Sequence, residues 1–267
     1  MPTITYNHRT ISYTSAGTGK CIVLLHGFTE SSSIWNKFAR ALSIHFRVIT
    51  IDLPGFGKSE CVAEVHTMER FADVVHAVLI ACKARKCLMV GHSMGGFVTL
   101  AFAKKYPGML QGISLFHSHP FGDSEEGKIN RERAVKLMRE SRQNYIFQFI
   151  PSLFAPEMQE KHAVAIRKLV KEASKIPVES LIASSEGMKL RPDSAEFLKT
   201  FEIPVLFIVG MKDSRAPLDR IGEMILLPKH SESLILKEIG HMGYIEAYEE
   251  TLQAIWCFAK KVFLKKD

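Results

Sequence analysis

Cys87-Leu88-Met89-Val90-Gly91-His92-Ser93-Met94-Gly95-Gly96 compresses a strand, a tight turn and a helix start into ten residues. The first four form a short apolar run of the kind that makes a buried strand. A helical pattern then begins at Gly95 or Gly96 and runs to Tyr106, where Pro107 stops it. Between the two, the spacing Gly-x-Ser-x-Gly sets a serine on the connecting turn. The chemistry explains the spacing. A nucleophile must project from a tight, strained turn, and flanking glycines let neighbouring backbone come close. The N-terminus of the following helix favours negative charge developing beside the serine.

Outward from this turn, five more apolar runs read as strands: residues 21–26, 47–51, 112–116, 205–209 and 233–236. Helical stripes separate them. Trp35, Phe38, Ala39 and Leu42 form one, and Phe71, Val74, Val75, Val78 and Leu79 another. Strands alternating with helices predict an α/β fold with a mostly parallel sheet flanked by helices. Residues 3–6 and 10–14 alternate differently, as an antiparallel hairpin at the sheet edge would. From about residue 117 to 200 the rhythm breaks. Ala134, Leu137, Met138, Ser141 and Tyr145 share one helical face, Met158, His162, Ala165 and Leu169 another, and Pro151, Pro156, Pro177 and Pro192 punctuate the stretch. The pattern predicts a helical insertion, 117–200, on a core built from 1–116 and 201–267.

A serine hydroxyl needs a base, and in this chain order an acid and then a histidine should follow it. Asp213 follows the run 205–209, and His241 follows the last run. Loops after parallel strands share one sheet edge, where ligands bind. Ser93, Asp213 and His241 are therefore expected to meet, with His241 shuttling the proton and Asp213 orienting it. Asp123 also follows a strand and is the alternative acid. Phe28 and Met94 are the expected backbone donors to a developing oxyanion. His26 and His92, beside glycines, read as structural, and Asp52 as a loop-fixing residue. His117 and His119, at a strand end, are candidate pocket groups. Tyr145, Phe147, Phe149, Phe154 and Met158 in the insertion are the candidate substrate-pocket residues. A contiguous apolar pocket of this kind would favour an uncharged acyl or aromatic ester.

Composition narrows the class. The chain has 267 residues, 46% apolar and 24% charged, as in ordinary soluble domains. The net charge of +7 is spread along the chain, with one tight group at Lys260, Lys261, Lys265 and Lys266. Neither a nucleic-acid motif nor metal-ligand spacing is present, so no nucleic acid, membrane or metal partner is expected. The five cysteines are odd in number and lack C-x-x-C spacing, which predicts free thiols in a reducing compartment, with Cys21 and Cys257 buried. Residues 1–19 lack the pattern of a signal peptide, and no apolar run is long enough to span a bilayer. A cytoplasmic monomer or homodimer is expected.

Taken together, His26-Gly27-Phe28, Asp52-Leu53-Pro54-Gly55-Phe56-Gly57-Lys58-Ser59, Gly91 to Gly96, Asp213 and Gly240-His241 resemble the α/β-hydrolase superfamily. The resemblance covers essentially the whole chain and is nearest to small serine esterase-like members. It implies an α/β-hydrolase fold with an eight-stranded, mostly parallel sheet, a helical cap at about 117–200 and no cofactor. A serine nucleophile separates the chain from the dehalogenase and epoxide-hydrolase branches, which use a carboxylate. The implied activity is cleavage of a small carboxylic ester through an acyl-enzyme. Carbon–carbon bond hydrolysis by the same triad and a slow-turnover ligand receptor are the alternatives.

Overall fold

The computed structural model describes residues 1–264. Of the C-terminal basic group, Lys265 and Lys266 lie outside the described residues. Lys261 pairs with Glu232 at 2.7 Å, and Lys260 lies over the Trp256 ring.

Eight strands form one sheet. They are β1 (Thr3–Tyr6), β2 (Arg9–Ala16), β3 (Cys21–Leu25), β4 (Arg47–Ile51), β5 (Cys87–His92), β6 (Leu110–Phe116), β7 (Val205–Gly210) and β8 (Ser231–Leu236). Their order is β1-β2-β4-β3-β5-β6-β7-β8. The β1–β2 and β2–β4 pairings are antiparallel and all others parallel. The alternating N-terminal segment thus forms the edge hairpin. β3, β5 and β7 are buried along their whole length, as interior parallel strands covered on both faces must be.

The topology creates the site. From β3 the chain turns to β4 on one side, and from β5 it turns to β6 on the other. The loops leaving neighbouring strands β3 and β5 therefore diverge, which opens a crevice at their carboxyl ends. The register pairs Leu25 with Gly91, so the 26–30 loop and the Ser93 turn leave the sheet side by side.

Among the described residues ten α-helices accompany the sheet: α1 (Asn36–Leu42), α2 (Met68–Ala81), α3 (Met94–Lys105), α4 (Glu125–Phe149), α5 (Ala163–Ala173), α6 (Val178–Lys189), α7 (Ala195–Lys199), α8 (Ile221–Leu226), α9 (Gly243–Glu246) and α10 (Tyr248–Leu264). α2 is capped by Thr67, whose hydroxyl accepts from the Arg70 N–H at 3.2 Å. It buries Phe71, Val74, Val75, Val78 and Leu79, and each such side chain contributes about 1.5–3 kcal/mol. α10 buries Thr251, Ile255, Phe258, Ala259 and Val262. It presses on β6 at Gly112, where a Cβ would lie 3.1 Å from Val262. Cys257 falls off that stripe and is exposed, contrary to the expectation of a buried thiol. Helical period overrides the local apolar run there.

No strand interrupts the described chain between β6 and β7, which carries α4 to α7. α4 is kinked at Ser141, whose backbone (φ −157°, ψ 87°) leaves the helical region. Met158 and His162 precede α5 rather than belonging to it, because Pro156 starts a separate short turn. No helix among the described residues is long and apolar enough to cross a membrane.

Candidate active site

Ser93 occupies the turn between β5 and α3 with φ 52° and ψ −117°. A non-glycine residue holds such a conformation at a cost of about 1–3 kcal/mol, so its surroundings must impose it. Two hydrogen bonds do so: the Ser93 N–H donates to the Phe116 carbonyl at 2.9 Å, and the Gly96 N–H donates to the Ser93 carbonyl at 2.8 Å. The glycines have a steric reason. A Cβ on Gly91 would lie 2.2 Å from the Gly95 carbonyl oxygen, and one on Gly95 would lie 2.6 Å from that of Leu25. Ser93 remains half-buried and faces a cavity of about 620 Å³.

His241 faces the same cavity. Its Nδ1 lies 2.8 Å from Asp213 Oδ2, so Nδ1–H donates to the carboxylate and Nε2 is left free. Asp213 is buried, and burial alone would raise its carboxyl. The adjoining His241 and His117 rings override burial and hold it well below the usual carboxylate range. Asp213 also accepts from the Arg215 N–H at 2.8 Å. No hydrogen bond joins Ser93 Oγ to His241 among the described residues. Such contacts often tighten only when substrate binds.

Asp123, the alternative acid, is engaged elsewhere. It pairs with Arg131 and, at 2.8 Å, with Arg191. Phe28 follows β3 and Met94 opens α3, and among the described residues neither main-chain N–H donates a hydrogen bond. His26 is structural: its Nδ1 donates to the Gly27 carbonyl at 2.8 Å, and its Nε2 accepts from Leu53 at 3.0 Å. Asp52 fixes the following loop by accepting from the N–H groups of Ser32 and Lys58.

Glu30 and Glu246 are not legible in the sequence motifs. Glu30 is buried, and its Oε2 lies 2.9 Å from His92 Nδ1. It also accepts from the Gly27 N–H at 2.6 Å and from the Tyr244 hydroxyl at 2.9 Å. His92 Nε2 lies 2.9 Å from the His241 carbonyl. A carboxylate at one ring nitrogen and a carbonyl at the other both favour a donating N–H, which favours the imidazolium. Burial opposes that charge, but Glu30 overrides it and raises the imidazole. This buried pair ties the 26–30 loop, the serine turn and the His241 loop together. Glu246 gives further support, accepting from the N–H groups of Ala155, Gly240 and Met242. His117, a candidate pocket group in the sequence, stands beside Asp213. It is buried with φ 48° and Nδ1 3.3 Å from Asp213, without the alignment of a hydrogen bond. Burial holds its imidazole down to about 4, so it stands neutral behind the carboxylate.

Glu30→Gln is expected to cost about 3 kcal/mol of stability, because it leaves His92 without its counter-ion. Urea unfolding measures this. A loss under about 1 kcal/mol would mean that His92 is neutral in the folded protein.

The cavity wall takes Tyr145 and Phe149 of the expected pocket residues. The two stack, with centroids 5.2 Å apart, as an i, i+4 pair on one helix face. Phe147 lies between them in sequence, so it points away and is 55% exposed. Phe154 is buried against His162 instead, and Met158 sits in the short turn before α5; neither lines the cavity. His117 and His119 do line it.

His117, Asp213 and His241 bring donor atoms within 4.8 Å of one another, the closest approach to a metal-ligand set among the described residues. The carboxylate is already seated on His241 Nδ1, which orients an imidazole rather than leaving a coordination site.

Residues 20–166 match the family described as alpha/beta hydrolase fold. The chain is 29% identical over 247 residues to the dihydrolipoyllysine-residue acetyltransferase component of an acetoin cleaving system from Pseudomonas putida, covering 91% of this chain and 64% of that protein. It is 27% identical over 251 residues to a pimeloyl-[acyl-carrier protein] methyl ester esterase from Aeromonas hydrophila, covering 92% and 97%. A solved thermophilic esterase from Thermogutta terrifontis, with malate bound, superposes with a TM-score of 0.90 at 32% identity, covering 95% of this chain and 94% of that one.

Proposed function

The chain belongs to the alpha/beta hydrolase fold family, and from that premise we propose that it hydrolyses a small carboxylic ester through an acyl-enzyme on Ser93. One observation carries the reading: a serine on a strained turn shares a cavity with an imidazole whose far nitrogen is seated on a buried carboxylate. The esterases among its relatives support an ester as the bond broken.

In the first step Ser93 Oγ attacks the carbonyl carbon and its proton passes to His241 Nε2. The carbonyl oxygen takes the negative charge and is met by the Phe28 and Met94 N–H groups. Each such donor is worth about 3 kcal/mol in the transition state. The carbon–oxygen bond to the alcohol breaks, and the alcohol leaves with the proton from His241. Water then gives a proton to His241 and adds to the acyl carbon. Ser93 leaves with that proton, and the acid is released. Asp213 stays ionised throughout and stabilises the imidazolium. Residues 117–200 act as a cap whose α4 supplies part of the acyl wall.

Partitioning tests the covalent step. p-Nitrophenyl butyrate and phenyl butyrate, hydrolysed in aqueous methanol, are expected to give the same ratio of methyl butyrate to butyrate. Both would pass through one butyryl-enzyme. A ratio that changes with the leaving group, or no turnover of either ester, would contradict the proposal.

A further inference from the structure

The cavity wall is apolar in part only, and not the contiguous apolar surface that the aromatic residues of the insertion suggest. Arg131, Arg133 and Arg215 all line it. The two carboxylates on the wall, Glu30 and Asp123, are both committed. Glu30 is paired with His92 at 2.9 Å, and Asp123 is shared between Arg131 and Arg191. Among the described residues Arg133 reaches only Asn130 Oδ1, at 3.2 Å. The Arg215 guanidinium donates to Ser152 Oγ at 2.8 Å and lies 5.0 Å from the Phe149 ring centroid. Among the described residues neither Arg133 nor Arg215 has a carboxylate partner. Other exposed cations of the chain do find one close in sequence, as Arg220 does with Glu223 and Lys175 with Glu172.

Arg215 is also held where a substrate would need it. Its main-chain N–H is bonded to Asp213, which orients His241. Its guanidinium stacks on Phe149, and Phe149 meets the ring of Phe28 edge-on at 5.8 Å. A planar, always-charged fork thus sits on the wall between Asp213, the acid bonded to His241, and Phe28. Such a fork matches a carboxylate through two parallel charge-assisted hydrogen bonds. Uncompensated positive charge at a cavity mouth also draws anions inward.

We propose that the substrate is an ester bearing a free carboxylate, a half-ester of a dicarboxylic acid, and that Arg215, assisted by Arg133, binds that carboxylate. Phe28, Tyr145 and Phe149 then cover the methylenes between the charged end and the ester carbonyl. The inference rests on the ester reading and names the substrate class of the same site.

The test compares kcat/KM for monomethyl adipate with that for methyl hexanoate, in the wild type and in Arg215→Gln. The wild type at low salt is expected to favour monomethyl adipate by at least about tenfold. Salt should erode the preference. Arg215→Gln should lower the ratio of the two constants by about tenfold, mostly through KM for the acid ester, and Arg133→Gln by a smaller factor. Both side chains are exposed, so the variants keep the fold. Turnover of methyl hexanoate as fast as of the half-ester overturns the proposal and leaves the ester reading standing. So does a ratio unchanged in Arg215→Gln. Turnover of neither ester overturns the ester reading and the proposal with it.

Discussion

Ser93→Ala is expected to lower kcat on a short p-nitrophenyl ester by roughly ten-thousand-fold or more, with stability close to wild type. The two effects separate for a structural reason. Ser93 Oγ makes no hydrogen bond among the described residues, so removing it breaks no contact of the fold. The strained turn is held by main-chain bonds and by the close approach of Gly91 and Gly95, all of which alanine keeps. Residual turnover should come from the Phe28 and Met94 donors and from binding alone. A kcat within about tenfold of wild type would remove the hydroxyl from the nucleophile role.

Asp213→Asn is expected to reduce kcat by roughly a thousand- to ten-thousand-fold and to change KM little. Asp213 does not line the cavity, so substrate does not touch it. Its work is done on His241 Nδ1 at 2.8 Å. An amide there can donate its own N–H to Nδ1. That stabilises the tautomer with the proton on Nε2, which cannot accept from Ser93. The amide also carries no charge to balance the imidazolium formed in the transition state. Asp123→Asn is the control. Asp123 is bonded to Arg131 and Arg191, so its loss should not reproduce the defect in kcat. A larger kcat defect in Asp123→Asn than in Asp213→Asn would reverse the assignment of the acid.

The middle of the sheet was legible because β3, β5 and β7 are buried on both faces and therefore read as unbroken apolar runs. Ser93, Asp213 and His241 could be placed because loops after parallel strands share an edge, so a position relative to a strand becomes a position in space. Contacts made by side chains that no such rule connects were not legible. Glu30 and His92 are 62 residues apart, and nothing in their local spacing pairs them. Glu246 serves a loop through three main-chain N–H groups, which leave no mark in the sequence. The insertion was the least legible part. Its aromatic residues were read as a contiguous apolar lining, but helix period sends Phe147 outward and Pro156 takes Met158 out of the helix. Arg131 and Arg133 of α4 and Arg215 of the loop after β7 stand on the wall beside the two aromatic rings that remain there. Cys257 failed for the same reason, since an apolar neighbourhood in sequence is not a face of a helix.

Labelling with a fluorophosphonate, followed by peptide mass spectrometry, tests most directly whether Ser93 and His241 act on one another. A single adduct is expected, on the peptide that holds Ser93, and its formation should slow by roughly a thousandfold in His241→Ala. An adduct on a different residue, or labelling of Ser93 at the wild-type rate without His241, would contradict the assembly of nucleophile, imidazole and carboxylate at this sheet edge.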